Sequence, residues 1–236
     1  KLVSGWFSGQ LLSGSVEDEK LRMEQQLSTF KALGAPVLVY AETTGTVQNK
    51  QQIPVSKRPR IRDEEFRDYG RQLTDLAEYM AEYGVPMAYH HHMGTIVETE
   101  QEVDLLMANT GPAVGLLLDT GHMTYAGGDV LGATRRHGKR INHVHCKDVR
   151  LNVLAEARKK DLSFLDAVLA GVFTVPGDGG IDFTAFARQL AANGYHGWAV
   201  VEAEQDPAKA PPLQYAKMGH AHLTKAFTGA GFTIVQ

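Results

Sequence analysis

An incomplete α/β barrel is the fold class that this sequence predicts, and three observations lead to it. Apolar, strand-like runs alternate with helical patterns six times, which is typical of a parallel sheet covered by helices. The first run, at residues 2–7, has no helix before it. A closed eight-unit barrel ordinarily takes about 250 residues, whereas this chain has 236. We therefore predict a (β/α)8 barrel that lacks its first two βα units.

The whole chain, residues 1–236, is predicted to form a single domain. Its 43% hydrophobic and 22% charged residues are typical of a globular protein with one core. The net charge of -3 argues against a broad nucleic-acid surface and favours a small-molecule partner. The sequence shows no membrane-length apolar run and no secretory leader, and its one cysteine cannot form an internal disulfide. We expect a cytoplasmic protein that binds neither nucleic acid nor membrane.

Helix and strand signals mark the first three units. Ser15 suits the N-cap of a helix whose apolar residues keep helical spacing until Gly34, a typical C′ residue. The second unit starts with a strand at residues 36–42. A third strand follows at residues 85–92, and Thr99 opens its helix with a capping-box pattern.

A long polar loop, residues 43–62, joins the second strand to its helix. It carries the basic stretch Lys-Arg-Pro-Arg at 57–60, and Phe66, Leu73 and Met80 line one face of the helix after it. A connection of this length is typical of a lid or binding loop. A solvated basic turn is an equally weighted alternative.

In the second half of the chain, strands and helices alternate as before up to about residue 148, and the alternation is less regular after that. Residues 115–118 are an unbroken apolar run that ends at Asp119, as expected of a parallel strand buried on both faces. The later elements are predicted, in chain order, as a short helix after a break at 127–129, a strand at 141–148, helical residues 151–169, a glycine-rich loop at 175–180, a helix capped by Asp182, a strand at 197–202 and a terminal helix at 213–227.

Metal-binding types of side chain stand at the carboxyl ends of the predicted strands. They are, in chain order, Glu42; His90, His91 and His92; Asp119 with His122; His145 with Lys147; and Glu202. Because such strand ends converge on the mouth of a barrel, we expect one oxygen and nitrogen site suited to Mn²⁺, Co²⁺ or Zn²⁺. His122 follows Asp119 after a Thr-Gly turn, which is expected to lift its imidazole towards the same point.

Strand alternation separates ligands from neighbouring residues. If His145 faces the mouth, His143 shares its side at a deeper level and the following cysteine faces the helices. We interpret His143 and one of the three consecutive histidines as structural, and Glu204 as a solvated loop carboxylate. Lys147 and Asp148 are also consistent with a surface ion pair.

Several motifs together resemble the xylose-isomerase-like TIM-barrel superfamily of sugar epimerases, isomerases and endonuclease IV, over nearly the whole chain. They are Asp-Thr-Gly-His at 119–122, His-Cys-Lys-Asp at 145–148, Gly-Asp-Gly-Gly-Ile-Asp at 177–182 and Val-Val-Glu at 200–202. More distinctive stretches resemble the inosose dehydratase family of myo-inositol catabolism. These are Ser-Gly-Trp-Phe-Ser at 4–8, Val-Tyr-Ala-Glu-Thr-Thr-Gly at 39–45 and Tyr-His-His-His-Met-Gly-Thr at 89–95.

The resemblance implies a metal held by a Glu, an Asp, a His and a second Glu from successive strand ends. Asp119, His145 and Glu202 match three of these positions. His90 falls on the first carboxylate, because this chain has His-His-His-Met-Gly-Thr where relatives have Glu-Asn-His-Pro-Gly-Thr. The site then carries one negative charge less, which argues against epimerisation by two opposed carboxylates.

The resemblance also implies an activity, namely loss of water from 2-keto-myo-inositol (scyllo-inosose) to give a trihydroxycyclohexane-1,2-dione. Mn²⁺ or Co²⁺ would serve, Zn²⁺ also suits the ligands, and glutathione is an implied additional cofactor. A divalent ion on the ketone would stabilise the enediolate, and departure of the hydroxyl needs a general acid. We predict His122 in that role and Lys147 or Glu42 as the other proton-transfer group. Trp6 and His92 are predicted to contact this small cyclic polyol ketone.

Alternative readings stay open from the sequence. A ketose epimerase or isomerase would use the same metal-stabilised enediolate without a leaving group. A phosphodiesterase of the endonuclease IV type would need further His and Glu ligands and a positive face, and a sugar-binding protein would need no metal. An open doubly wound sheet is the alternative fold, although no Gly-x-Gly-x-x-Gly follows the first strand. The oligomeric state is not predicted.

Overall fold

Six parallel strands form the main sheet of the computed structural model, which describes residues 1–235. The strands of both sheets within residues 1–235 are, in chain order, β1 (Trp6–Gly9), β2 (Leu38–Glu42), β3 (Met87–His90), β4 (Gly115–Asp119), β5 (Ile141–Cys146), β6 (Asp148–Val149), β7 (Phe173–Thr174) and β8 (Ala199–Val201). The sheet order is β1-β2-β3-β4-β5-β8, all parallel, and β6 pairs with β7 in a small antiparallel ladder. Each strand is added beside its predecessor, as in a barrel wall and unlike a doubly wound sheet. The six-unit α/β architecture is confirmed, whereas two units ahead of β1 stay a prediction.

Helices alternate with these strands. They are α1 (Val16–Leu33), α2 (Glu65–Tyr83), α3 (Glu100–Ala108), α4 (Thr120–Ala126), α5 (Val130–His137), α6 (Leu151–Lys159), α7 (Phe164–Ala170), α8 (Phe183–Ala192) and α9 (Pro212–Gly229). The predicted ends of α1 are confirmed: Ser15 and Asp18 form a capping box, and Gly34 takes the left-handed conformation with φ 65°. Among the described helices, none is long and apolar enough to cross a membrane.

In the central strands β2, β3 and β4 both faces of the sheet are buried, and alternate residues of one strand belong to different cores. Leu38 and Tyr40 of β2 belong to the large core beneath the helices. Val39 lies in a separate small cluster with Ala88 and Leu117. Because side chains alternate across a strand, this cluster marks the inner face of the sheet. Residues two positions further along β3 and β4 share that face, and there the polar side chains begin.

Each predicted strand differs from the structure by a few residues at one or both ends, and two of these differences change the description of the fold. β1 begins at Trp6 and not at residue 2. The predicted strand at 141–148 ends earlier, and Asp148 belongs to the separate ladder of β6 and β7. The carboxylate of Asp148 accepts hydrogen bonds at 3.0 Å from the backbone amides of Gly177, Gly179 and Ile181. These bonds draw the chain away from the sheet. Since Asp148 is fully buried, the surface ion-pair interpretation is wrong.

The long loop at residues 43–62 packs against the protein through part of its basic stretch, while Lys57 and Arg60 are exposed. Arg58 in its basic stretch is buried and pairs with Glu98 at 3.2 Å. Thr46 donates its hydroxyl to the carbonyl of Gly94 at 2.9 Å, which ties the loop to the segment after β3. The loop is thus held over the carboxyl ends of the strands, where a binding loop is expected.

Candidate active site

Four ligand-type side chains meet at the carboxyl ends of β3, β4 and β5 and just after β8. We call His90, Asp119, His145 and Glu202 the metal cluster, because one ligand atom from each lies within 4.8 Å of all the others. Nδ1 of His145 is 2.9 Å from Oε2 of Glu202 and 3.6 Å from Oδ2 of Asp119. In the β4–β5 register Asp119 lies opposite His145, so adjacent strands present both on the inner face.

The metal cluster contains buried polar atoms that make no hydrogen bond, although charged groups lie close to them. Oδ2 of Asp119, Nδ1 of His145 and Oε2 of Glu202 make no hydrogen bond within residues 1–235, despite the short distances between them. The other oxygen of Asp119 accepts from the backbone amide of His122 at 2.8 Å, which fixes the carboxylate. Unpaired buried polar atoms are costly, and one shared cation would satisfy all three. The donors present therefore fit a divalent cation.

His90 suits the position of a neutral ligand. Its Nδ1 lies 2.5 Å from the carbonyl oxygen of His91, which accepts the proton and leaves the Nε2 lone pair facing Asp119 at 3.8 Å. Burial, followed by the charge of His145, lowers the pKa of His90 well below its usual value. His91 is the structural member of the histidine run, since its Nε2 accepts from the backbone amide of Asp119 at 3.2 Å.

The electrostatics of the metal cluster favour a positive charge at its centre. Burial alone would lower the pKa of His145, but the carboxylates of Asp119 and Glu202 outweigh it and raise the pKa to about 9. Burial would raise the pKa of Glu202, yet Lys147 and His145 hold it well below its usual value. The carboxylate of Glu202 thus stays ionised and favours a proton or a cation beside it.

A second group of residues lies beside the metal cluster. We call His92, His122, Glu204 and Lys147 the lysine cluster; ligand atoms of the first three lie within 4.8 Å of one another. Nζ of Lys147 is 2.7 Å from Oε2 of Glu204 and 3.0 Å from Nε2 of His122. Lys147 is fully buried, so it is not a surface residue. Glu204 lies in a loop with its side chain 31% exposed, as expected, but it also pairs with this buried lysine.

Lys147 also faces the metal cluster. Its Nζ is 3.3 Å from Oε2 of Glu202 and 3.6 Å from Oδ2 of Asp119. Burial would lower the pKa of Lys147, but the nearby carboxylates of Asp119, Glu202 and Glu204 outweigh it and raise the pKa above its usual value. Its ammonium is therefore a fixed positive charge next to the candidate metal ligands.

His122 lies at the site but not where the sequence predicts. The Thr-Gly pair after Asp119 is the first turn of α4, with Asp119 as its N-cap, and not a free turn. The ring of His122 is fully buried and packs against His92, with the ring centroids 3.9 Å apart, and against Phe173 at 5.3 Å. Burial lowers its pKa well below the usual value. His122 therefore stands behind His92 as seen from the cavity.

A cavity of about 400 Å³ opens directly on both clusters. Its lining includes His90, His145 and Glu202 of the metal cluster, His92 and Glu204 of the lysine cluster, and Trp6, Ser8, Gln48, Asn49 and Phe164 around them. The indole of Trp6 stands edge-on to the rings of His90 and His92, with centroid distances of 5.7 Å. The predicted substrate contacts, Trp6 and His92, thus both face the cavity. The volume suits a small ligand.

Gln48 is a cavity residue that the sequence did not single out. It comes from the long loop and is 8% exposed, and its Oε1 is buried without a hydrogen-bond partner in the described chain. The length of the loop was a signal that some residue would enter the site. Its composition did not show which one.

Glu42 does not reach the site. Its two carboxylate oxygens accept from the backbone amides of Leu11 and Thr44, each at 3.0 Å. The reason is strand alternation, since Glu42 shares its side of β2 with Tyr40, whose ring lies in the core beneath the helices. A proton-transfer role for Glu42 is therefore not supported, and its carboxylate holds the segment after β1.

Comparisons with known proteins agree with this architecture. A family described as "Xylose isomerase-like TIM barrel" matches residues 6–226. The chain is 56% identical to the rhizopine catabolism protein MocC of Rhizobium meliloti over 234 residues, 99% of this chain and 72% of that protein. It is 43% identical to an inosose dehydratase of Lactiplantibacillus plantarum, over 94% of this chain and 75% of the relative. An inosose dehydratase of Geobacillus thermodenitrificans is 44% identical over 91% and 73%, respectively.

Solved structures show the same fold at low sequence identity. The IOLI protein, solved with a bound zinc atom, matches with a TM-score of 0.69 at 19% identity, over 98% of this chain and 78% of that chain. A probable 3-DHS dehydratase, AsbF of Bacillus anthracis, matches with a TM-score of 0.68 at 16% identity, over 95% and 76%. The chain belongs to the xylose isomerase-like TIM-barrel family, on the branch that contains MocC and the inosose dehydratases.

Proposed function

We propose that the protein is a metal-dependent hydro-lyase that removes water from 2-keto-myo-inositol (scyllo-inosose) to give a trihydroxycyclohexane-1,2-dione in myo-inositol catabolism. The names of the inosose dehydratase relatives support the substrate class. The observation that carries the proposal is the metal cluster, which has three buried atoms without hydrogen bonds and meets a cavity of about 400 Å³ through His90, His145 and Glu202. A small cyclic polyol ketone fits a cavity of this size and polarity.

His90, Asp119, His145 and Glu202 would hold the cation. Two imidazoles and two carboxylates suit Mn²⁺ or Co²⁺, and Zn²⁺ accepts the same donors. When bound, such an ion supplies Lewis-acid polarisation of the ketone and acidifies the neighbouring C–H bond. Glutathione as an additional cofactor, a cytoplasmic location and the absence of nucleic-acid and membrane partners stay predictions.

Glu204 is our candidate for the proton-transfer group. Its carboxylate lines the cavity, and its Oε2 is held 2.7 Å from Nζ of Lys147. As a base it would take the proton from the carbon beside the ketone. As an acid it would return that proton to the departing hydroxyl, so that one water leaves and the balance of atoms closes.

Lys147 and His122 support this role without touching the cavity. The ammonium of Lys147 fixes the carboxylate of Glu204 and places positive charge where negative charge develops on the substrate. Nε2 of His122 lies 3.0 Å from Nζ, and Nδ1 of the same ring accepts from the backbone amide of Met93 at 3.3 Å, so a fixed imidazole packs against Lys147 and positions it. The proton-transfer roles predicted for His122 and Lys147 are thereby revised to positioning and electrostatic roles.

The cavity wall supplies groups for the ring of a polyol. Oε1 of Gln48, buried and unpartnered in the described structure, would accept from a substrate hydroxyl. His92 donates its Nδ1 proton to the carbonyl of Met93 at 2.8 Å, so its Nε2 is left to accept. Trp6 offers an apolar surface to the ring carbons.

The alternative from the sequence is a ketose epimerase or isomerase. Such a reaction by two opposed carboxylates needs an acid on each side of the substrate. Here the acidic residues at the cavity, Glu202 and Glu204, follow the same strand, β8, while β3 contributes His90. This one-sided arrangement favours the elimination.

The test is a substrate comparison on the purified 236-residue chain, loaded with Mn²⁺ or Co²⁺. We expect scyllo-inosose to lose one water, followed by mass spectrometry, and free ketoses to be recovered unchanged. Epimerisation of a ketose without turnover of scyllo-inosose would contradict the proposed function. Turnover that persists after complete chelation of metal would contradict the role of the cation.

A further inference from the structure

The lysine cluster has the composition of a second metal site, yet it already contains a positive charge. Two imidazoles and one carboxylate, from His92, His122 and Glu204, present ligand atoms within 4.8 Å of one another. Three such donors are sufficient for a protein-bound divalent cation. Nζ of Lys147 contacts two of them, at 3.0 Å from His122 and 2.7 Å from Glu204.

The geometry makes the ammonium and a metal ion alternatives. Nε2 of His122 and Oε2 of Glu204 are 3.6 Å apart. A cation bonded to both at about 2.1 Å would lie no more than about 3.3 Å from Nζ, given the distances of 3.0 and 2.7 Å from Nζ to these atoms. A divalent ion at that separation would either overlap the ammonium or face it as a like charge without intervening water.

The surroundings of Lys147 hold the ammonium in place. Besides the two contacts above, Nζ lies 3.3 Å from Glu202 and 3.6 Å from Asp119, and 4.9 Å from the ring centroid of Phe173. The side chain is fully buried, so the ammonium has no contact with solvent. The carboxylates surround it as they would surround an ion.

We propose that the ammonium of Lys147 occupies the position of a second divalent cation, so that the mouth of the barrel holds one exchangeable metal ion and one fixed protein cation. The site is thereby committed to a mononuclear centre. Removing the ammonium opens a site for a second first-row ion such as Co²⁺ or Mn²⁺. The inference takes its first ion from the proposed function, but its test counts ions and needs no substrate.

The experiment titrates the metal-free chain with Co²⁺ and counts bound equivalents by elemental analysis after desalting. We expect one equivalent in the wild type and two in Lys147→Ala. In the double variant Lys147→Ala, Glu204→Gln the count should return to one, because the second site has lost its carboxylate. Circular dichroism and thermal melting verify the fold of each variant. Loaded with Mn²⁺, Lys147→Ala should also show the spin-coupled paramagnetic resonance spectrum of two neighbouring ions.

The number of bound Co²⁺ ions supports or overturns the proposal in each case. Two equivalents in the wild type would overturn the proposal even if no variant folds, and so would a single equivalent in folded Lys147→Ala. Should Lys147→Ala unfold, Lys147→Ser, whose hydroxyl suits the polar surroundings, carries the same expectation of one gained equivalent. A wild type that binds no ion contradicts the proposed metal centre instead, and a gain of one equivalent on removal of Lys147 would still support this inference.

Discussion

The metal cluster and the lysine cluster lie side by side at the mouth of the barrel, but only one of them is electrostatically complete. In the metal cluster three buried ligand atoms make no hydrogen bond with any residue of 1–235. In the lysine cluster, by contrast, Glu204 and His122 each contact the ammonium of Lys147. The same ammonium lies further from the metal cluster, at 3.3 Å from Glu202 and 3.6 Å from Asp119, so the two clusters differ in how closely it approaches their donors.

The difference shows how two adjacent sites of one fold can carry different positive charges, an exchangeable metal ion and a lysine ammonium. An exchangeable ion can approach a ketone as a Lewis acid. A lysine ammonium is covalently part of the chain and cannot exchange. It orients the neighbouring side chains, and its charge stabilises negative charge that develops on the substrate. The comparison therefore predicts that variants of the metal cluster lose the ion, and that variants of the lysine cluster keep it and lose turnover.

The largest effect is expected from Asp119→Asn. Asparagine can still accept from the amide of His122 and cap α4, so the fold is retained, but the anionic oxygen between His90 and His145 is lost. Metal affinity should fall by more than the roughly 10–100-fold typical of outer-shell partners, and turnover of scyllo-inosose should fall with it. Elemental analysis and a kinetic assay on the same preparation measure both.

Glu42→Gln is the matched control for that variant. Its oxygens bind the amides of Leu11 and Thr44 and do not reach the cavity, so metal content and turnover should persist. The melting temperature should drop, since weakening a buried bond to the backbone costs about 1–3 kcal/mol. Loss of the ion in Glu42→Gln, or full metal content in Asp119→Asn, would break the distinction between ligand and structural carboxylate.

The next effect is expected from Glu204→Gln in the lysine cluster. The amide cannot take a proton from carbon, so turnover should fall by about 10²–10⁴, while the ion stays bound because the metal cluster is untouched. Gln205→Ala, one residue on and outside the cavity lining, should turn over normally. If Glu204→Gln lost the ion, Glu204 would be a ligand and the two clusters would be one.

A pH titration sharpens the comparison further. The pKa of His145, raised to about 9 by the flanking carboxylates, means that a proton must leave before an ion binds. Apparent Co²⁺ affinity should therefore rise about tenfold per pH unit up to pH 9 and level off above it. In the metal-free protein the sign is opposite: the folded-state pKa exceeds the unfolded value, so protonated His145 stabilises the fold at low pH and this contribution disappears as pH rises through 9.

Calorimetric titration of Co²⁺ across the pH range measures the first effect, and thermal melting of the metal-free chain measures the second. An affinity independent of pH between 7 and 9 would show that His145 carries no proton to displace. His90 offers no such dependence, since burial lowers its pKa well below the usual value.

Strand periodicity made the metal cluster predictable. His90, Asp119 and His145 stand at the ends of strands whose alternation fixes the facing side, and Glu202 directly follows the last one. The six βα units follow from the same periodicity. The positions of Glu42 and Glu204 were not predicted. Glu42 shares its side of β2 with Tyr40 and therefore points away from the cavity. Glu204 follows β8 and is positioned by its contact with Lys147.

Other features depend on contacts between distant segments. The ladder of β6 and β7 has two residues in each strand and forms because Asp148 binds amides about thirty positions later, as in its contact with Ile181. The Thr-Gly pair after Asp119 becomes helix α4 once Asp119 caps it. Local composition carries little information on such arrangements. For the same reason, the length of the loop at 43–62 indicated a binding loop but did not identify Gln48 as the residue that lines the cavity.

The smallest effect is expected from Gln48→Ala, which tests whether the cavity beside both clusters recognises a polyol. The buried Oε1 of Gln48 has no partner in the described structure, so a substrate hydroxyl that donates to it gains a bond not made in the free protein. Losing it should raise KM about 5–10-fold, as expected of a neutral hydrogen bond worth about 1 kcal/mol. Metal content and kcat should change little, since neither cluster is altered.

Gln51→Ala is the control on the same loop. Gln51 is exposed and donates to Asp166 at 2.7 Å, outside the cavity lining, so its loss tests loop anchoring without removing a substrate contact. A raised KM in Gln48→Ala alone identifies a hydroxyl contact. Equal increases in both variants would instead assign the effect to the loop, and an unchanged KM in Gln48→Ala would leave recognition to the clusters and Trp6. Because the contact is a hydrogen bond to one hydroxyl, an inosose analogue lacking that hydroxyl should bind wild type and Gln48→Ala equally well.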